Sequence, residues 1–197
     1  MSISALFTLP VILIAAAGNL AVTTGTDEEA QLPYWQVADG SVSIRLVQRL
    51  PDQTRGFFIA RGFSPLQAER IAQSCVFQTV FRNISQHTNP SALEYDLREW
   101  GVLSDGRRAG LKTREDWKNE WQSLSVPQGA QIAFEWALLP TRQVYQPGDY
   151  NWGMSIFNLK PGATFDLELM WRQHGALRRA RIEGIRCAPD IEVGPER

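Results

Sequence analysis

The chain has 197 residues and a formal net charge of −1. That length suits one domain with a core large enough to fold without a metal or several disulfides. The composition is that of an ordinary globular protein, which excludes a disordered or membrane-filling chain, and the near-neutral balance gives no global sign of nucleic-acid binding, which normally needs a basic face.

Ile3 to Val22 carries no charge and contains the run Ala5 to Ala17. The run has the length and texture of a signal-peptide core, and Ala15-Ala16-Ala17 offers the small residues of a cleavage site. No Lys or Arg precedes it. The alternatives are an uncleaved anchor or a buried terminal strand or helix. An anchor needs about 20 apolar residues, and Pro10, Gly18 and Asn19 make a poor one. The expected organisation is a signal peptide over 1–22, a polar linker over 23–38, a single β-rich domain over 39–190 and a tail over 191–197. That places the chain in the periplasm or outside the cell, touching a membrane only if the first segment stays uncleaved.

Ser41 to Leu50 alternates Val42, Ile44 and Leu46 with polar residues, the period of a strand. Pro51-Asp52-Gln53 reads as a turn, and Gly56 to Arg61 as a short apolar strand. Ser64-Pro65-Leu66-Gln67 starts a helix, with Ser64 as cap, Pro65 at the first position and Gln67 closing a capping box. Val76 to Ile84 is expected as a buried strand. It ends in Asn83-Ile84-Ser85, a glycosylation sequon that matters only in a eukaryotic secretory pathway. Leu93, Tyr95 and Leu97 mark another strand, and 104–110 a loop.

Thr113 begins a second helix in which Trp117, Trp121 and Leu124 share one face. From Gln128 onward the chain reads as strands: Ile132, Phe134, Trp136 and Leu138 alternate, then Tyr150, Trp152, Met154 and Ile156, then Phe165, Leu167, Leu169 and Trp171. His174-Gly175 suits a two-residue turn with positive φ. Centring the turn there sets Glu168 opposite Arg181, Leu167 opposite Ile182 and Leu169 opposite Ala180. Charges then meet on one face and apolar groups on the other, and a one-residue slip would lose both matches.

The segment Leu159-Lys160-Pro161-Gly162-Ala163-Thr164-Phe165-Asp166-Leu167 resembles the corner between the fifth and sixth strands of fibronectin type III and related β-sandwiches. That family has tyrosine where Phe165 stands, so the corner's hydroxyl contact is absent. The resemblance covers about nine residues and implies an immunoglobulin-like sandwich for the C-terminal half; it implies no activity. The fold expected is α+β and β-rich, an Ig-like β-sandwich with one or two short helices packed on it.

Cys75 and Cys187 are the two cysteines. In an oxidising compartment they are expected to pair, tying the end of the first helix to the last strand. Two thiolates alone make an incomplete metal site.

Chemistry is sparse. No phosphate loop or nucleophile elbow is present. Asp166 and Glu168 face away from the aromatic side chains and have arginine partners, which suits a solvated ladder. His87 and His174 both lie in turns. With Met154 or Met170 they would suit copper, because imidazole and thioether both bind it, although no spacing forces them together. Arg172, Arg178, Arg179, Arg181 and Arg186 form a basic strand edge, either a guard against strand pairing or a docking surface for an acidic partner or anionic glycan. The Asp149-Tyr150-Asn151-Trp152 loop and the Trp35 segment offer aromatics to anchor a partner, with core packing expected for Trp152.

The leading expectation is therefore an exported, non-enzymatic binding or accessory module with an envelope protein partner and no cofactor. A periplasmic copper-handling protein is the alternative. A glycan-acting enzyme with a cleft lined by Trp117, Trp121 and Glu120 comes third.

Overall fold

The structure is a computed structural model and describes residues 20–86 and 88–190. The signal-peptide reading up to residue 19, His87 and the 191–197 tail lie outside the described residues.

In chain order the first strands are β1 (Ala21–Thr26), β2 (Pro33–Ala38) and β3 (Val42–Gln48), followed by helices α1 (Pro51–Ile59) and α2 (Pro65–Ala72). Then come β4 (Cys75–Asn83), β5 (Leu93–Asp96), β6 (Gly101–Ser104) and β7 (Arg107–Ala109), and helices α3 (Arg114–Ser123) and α4 (Gln128–Ala137). The last strands are β8 (Arg142–Tyr145), β9 (Tyr150–Phe157), β10 (Thr164–Gln173) and β11 (Ala176–Arg186). The result is a β-rich α+β fold of two antiparallel sheets. One runs β1-β2-β3-β4-β9; the other runs β7-β6-β10-β5-β8, with β11 on β10.

Strand alternation divides each sheet into two faces. Val42, Ile44, Leu46, Phe77 and Phe81 from the first sheet meet Leu167, Leu169, Trp171 and Ile182 from the second in the main core. The first sheet has a second job. On its other face Val76, Met154 and Ile156 pack against Phe58, Ile71, Trp117, Trp121 and Phe134 of the helices. The chain thus has three layers: helices, sheet and sheet.

Several expectations hold. Ser64 Oγ accepts from the Gln67 N–H, and Gln67 Oε1 accepts from the Ser64 N–H, completing the capping box of α2. In the last hairpin His174 has φ 49° and Gly175 φ 73°. Glu168 pairs with Arg181, Leu167 with Ile182 and Leu169 with Ala180. Cys75 and Cys187 form a disulfide with Cα atoms 5.2 Å apart.

Others are corrected. Residues 23–38, read as linker, supply most of the β1–β2 hairpin. The Asp27 carboxylate organises its turn by accepting from the Glu29 and Ala30 N–H groups. Every residue of β1 is exposed, so no apolar period announced it. The run Phe57-Phe58-Ile59 belongs to α1, where Thr54 and Phe58, four apart, are buried and Ile59 is left outside. The alternation Ile132 to Leu138 is likewise helical. Ala130, Phe134 and Leu138, four apart, face inward, while Ile132 and Trp136 face solvent. The 104–110 segment is a β6–β7 hairpin turning on Asp105 and Gly106, both at positive φ.

Candidate functional site

The helices cover part of the outer face of the five-stranded sheet and leave the rest open. Register fixes what is displayed there. Val80 lies between Arg45 and Trp152, and Arg82 between Ser43 and Tyr150. Gln78 lies between Val47 and Met154, and Tyr34 sits opposite Val47. Tyr150 and Trp152 are 58% and 59% exposed, so both large rings face solvent. This corrects the core role expected of Trp152. The reverse holds at the other flagged segment: Trp35 is buried edge-on against Phe77, and its neighbour Tyr34 carries the aromatic surface. Guanidinium groups lie over two of these rings, Arg45 at 3.7 Å from the Tyr34 centroid and Arg82 at 5.0 Å from Tyr150.

Next to Trp152, Gly153 lets a second segment approach β9 closely. A Cβ there would lie 2.4 Å from the Leu139 nitrogen and 2.7 Å from the Leu138 carbonyl carbon. The absent side chain lets the chain leaving α4 cross β9, where Leu138 bridges Met154 and the Leu139 N–H donates to the Met154 carbonyl. Trp136, 83% exposed, is two residues upstream of that crossing.

Beside the aromatics is a cavity of about 470 Å³ between the β1–β2 turn, the sheet and α1, lined in part by Asp27, Arg45, Arg49, Gln53, Gln78 and Val80. Arg45 pairs with Asp27 at 2.7 Å. The Ala30 N–H, helped by Arg45, holds the Asp27 carboxyl below its ordinary range. Arg49 has no such partner among the described residues. Its Nε is buried without an acceptor, and burial lowers its pKa. Among the described residues, Arg55, Arg70 and Arg172 are half-buried but ion-paired, with Glu69 and Asp190, with Glu120 and with Glu99. Arg114 resembles Arg49 in having a buried Nε without an acceptor and a pKa lowered by burial, but its guanidinium donates to the Leu138 carbonyl, an internal contact that Arg49 lacks. An unpaired, partly desolvated guanidinium is costly and remains charged, so it favours an anion beside it.

Of the residues expected to form a metal site, Met154, Met170 and His174 are not gathered; His87 lies outside the described residues. Met154 is buried among the helices, whereas Met170 packs against the core between the sheets. His174 is at a hairpin tip, four residues beyond Met170 on an extended strand, about 13 Å at 3.3 Å per residue. No group of three or more His, Cys, Asp or Glu side chains is placed to hold a metal ion among the described residues. The basic edge is divided. Arg172 and Arg181 form ion pairs with Glu99 and Asp166, while Arg178 and Arg179 stand exposed on β11.

The residues named for a glycan cleft, the third reading, do not line one among the described residues; the two tryptophans are core. Trp117 and Trp121 stack at 4.8 Å with both rings buried. Glu120 is held by Arg70 and Lys112, and the Lys112 ammonium lies 3.5 Å from the Trp117 centroid. Trp121 does border a cavity of about 160 Å³ between α3 and α4, but its carboxylate is Glu135.

Comparison with protein families, with curated proteins and with solved structures finds no match to this chain.

Sequence reasoning missed Arg49. The alternation that put Val42, Ile44 and Leu46 inward also puts Arg45 and Arg49 on one outward face, and that signal was available. The walls of the cavity were not, because they come from a hairpin read as linker and from the first turn of α1, where Pro51-Asp52-Gln53 reads as a turn.

Proposed function

We propose that the chain is an exported recognition module that docks an envelope protein through the outer face of its five-stranded sheet. The observation that carries this reading is the pairing of Tyr150 and Trp152, each more than half exposed, with a cavity holding the unpaired Arg49. Exposed aromatics and arginine are the side chains most often responsible for binding energy at interfaces. The apolar leader supports export, and the buried disulfide suits an oxidising compartment. No helix among the described residues is long and apolar enough to cross a membrane. The β9–β10 connection passes from one sheet to the other. That fits the corner resemblance and supports an Ig-like arrangement of the sandwich.

The test is site-specific photocrosslinking in the native envelope, with the photoreactive residue at position 152. One discrete adduct is expected, and Tyr150→Ala should reduce its yield about tenfold or more, while Leu177→Ala leaves it unchanged. An adduct insensitive to Tyr150, or turnover of an envelope substrate by the purified protein, overturns the reading.

A further inference from the structure

The Arg49 cavity also indicates what the partner presents. We infer that it binds one carboxylate, an Asp or Glu side chain of the partner, through the Arg49 guanidinium; this rests on the docking reading above. Three observations lead there.

First, Arg49 forms no ion pair among the described residues, and its Nε is buried and unpartnered. A guanidinium fork matches a carboxylate, and such charge-assisted pairs are the strong ones. Second, the remaining polar lining supplies further donors. Gln53 uses its Oε1 to accept the Leu50 N–H, which leaves its amide nitrogen free to donate, and Gln78 lies on the same wall. Third, the charges around the cavity limit the anion. The lining carries two arginines and two carboxylates; Asp27 pairs with Arg45, whereas no ion pair among the described residues joins Glu29 to Arg49. One unpaired guanidinium can hold one negative charge, and the neighbouring Glu29 disfavours a second. A phosphate dianion would face Asp27 and Glu29 with one free guanidinium to hold it. The volume, about 470 Å³, accommodates a side chain with part of its backbone.

The experiment uses the full mature, oxidised protein with ¹⁵N-labelled arginine, following each Nε–H resonance by NMR. N-acetylglutamate amide, its glutamine counterpart and inorganic phosphate are titrated separately. The Nε resonance that disappears in Arg49→Lys should move saturably with the glutamate compound and not with the glutamine one. Phosphate should bind about tenfold more weakly or worse. The readout is made in the wild-type protein, and Arg49→Gln, checked by thermal melting, gives the assignment if Arg49→Lys does not fold. An equal response to the glutamine compound, tighter binding of phosphate, or shifts confined to the exposed Arg178 and Arg179 overturns the inference. The photocrosslink at position 152 separates the two readings. An adduct that forms equally in Arg49→Gln removes the carboxylate site and keeps docking. Saturable binding at Arg49 with no adduct in the wild type keeps a carboxylate site and removes docking.

Discussion

Arg181 faces Glu168 across the β10–β11 ladder, yet its guanidinium reaches Asp166 at 2.6 Å, and Glu168 turns to Arg108 at 3.0 Å. The cause is a register shift between Phe165 and Leu167. It brings the Gly184 N–H to Asp166 Oδ1 at 2.9 Å, so this carboxylate serves both the bulge and the arginine. Both contacts lower the Asp166 pKa, that of Arg181 most. The two ion pairs are similarly exposed and each of little worth, but Asp166 also holds the bulge through Gly184, so Asp166→Asn is expected to lower the melting temperature more than Glu168→Gln. Thermal melts of the two variants in one buffer decide it; an equal or reversed order means the bulge does not depend on Asp166.

The disulfide joins residues 112 apart in sequence and ties the start of β4 to the end of β11. Closing so long a loop restricts the unfolded chain and contributes about 4–5 kcal/mol by loop-closure entropy. Reduction, or paired Cys75→Ser and Cys187→Ser, should reduce stability by that order without altering far-ultraviolet circular dichroism at low temperature. A denaturant titration that shows no change would place the stabilisation elsewhere.

Arg55 binds Glu69 of α2 and Asp190 near the end of the described chain, at 2.6 Å each. Its hydrogen bonds are the largest influence lowering both carboxyl pKa values, from 4.5 for Glu69 and 3.8 for Asp190. A carboxyl depressed in the folded state adds stability that is fully present above its unfolded pKa. That stability is lost as pH falls through the folded value. Melting temperature should thus fall as pH drops below about 4.5. Asp190→Asn should show a smaller fall, with the two curves converging at the lowest pH. Parallel curves down to the acid limit would contradict the assignment.

Gly153 is predicted to be intolerant of even a methyl group. Its Cβ would meet the Leu138–Leu139 backbone, which cannot swing aside as a flexible side chain can. Gly153→Ala should cost about 1–3 kcal/mol through overpacking, and should break the Leu139–Met154 hydrogen bond. Hydrogen exchange at the Leu139 amide reports on this directly. Unchanged protection there would show that the crossing does not need the glycine.

What the sequence made legible follows from which residues carry their own constraint. The last hairpin was readable to the residue, because His174-Gly175 fixes a turn and Glu168, Leu167 and Leu169 each specify a partner. The start of α2 was readable because Ser64 and Gln67 satisfy each other locally. α4 was not. Ile132 and Trp136 lie outside a helix whose buried face is Ala130 and Phe134, so exposed apolar residues completed a false two-residue period. The site was half legible for a related reason. Tyr150 and Trp152 stood out as aromatics, but an exposed tryptophan reads as core until the neighbouring chain is placed. Arg49 became significant once α1 and the β1–β2 turn were seen to wall it in.

Asn83 sits in the sequon, but it is fully buried and its amide is fully used. Nδ2 donates to the Ser91 and Tyr145 carbonyls at 2.7 and 3.0 Å, and Oδ1 accepts from the Ser85 N–H and hydroxyl. It ties the end of β4 to the chain entering β5 and to the end of β8. Glycosylation would require the nitrogen that holds two carbonyls, so the folded protein should remain unmodified if expressed in a glycosylating host. Asn83→Ala should cost about 3 kcal/mol, because the two buried carbonyls lose their donors. Asn83→Asp is the more informative variant. It sets a carboxylate oxygen against both carbonyls, which favours the protonated acid and raises its folded pKa. A raised carboxyl destabilises above its unfolded pKa and recovers as pH falls, so Asn83→Asp should be weakest near neutrality and approach the wild type toward pH 4. A deficit independent of pH would mean that the side chain at 83 can turn away from the two carbonyls.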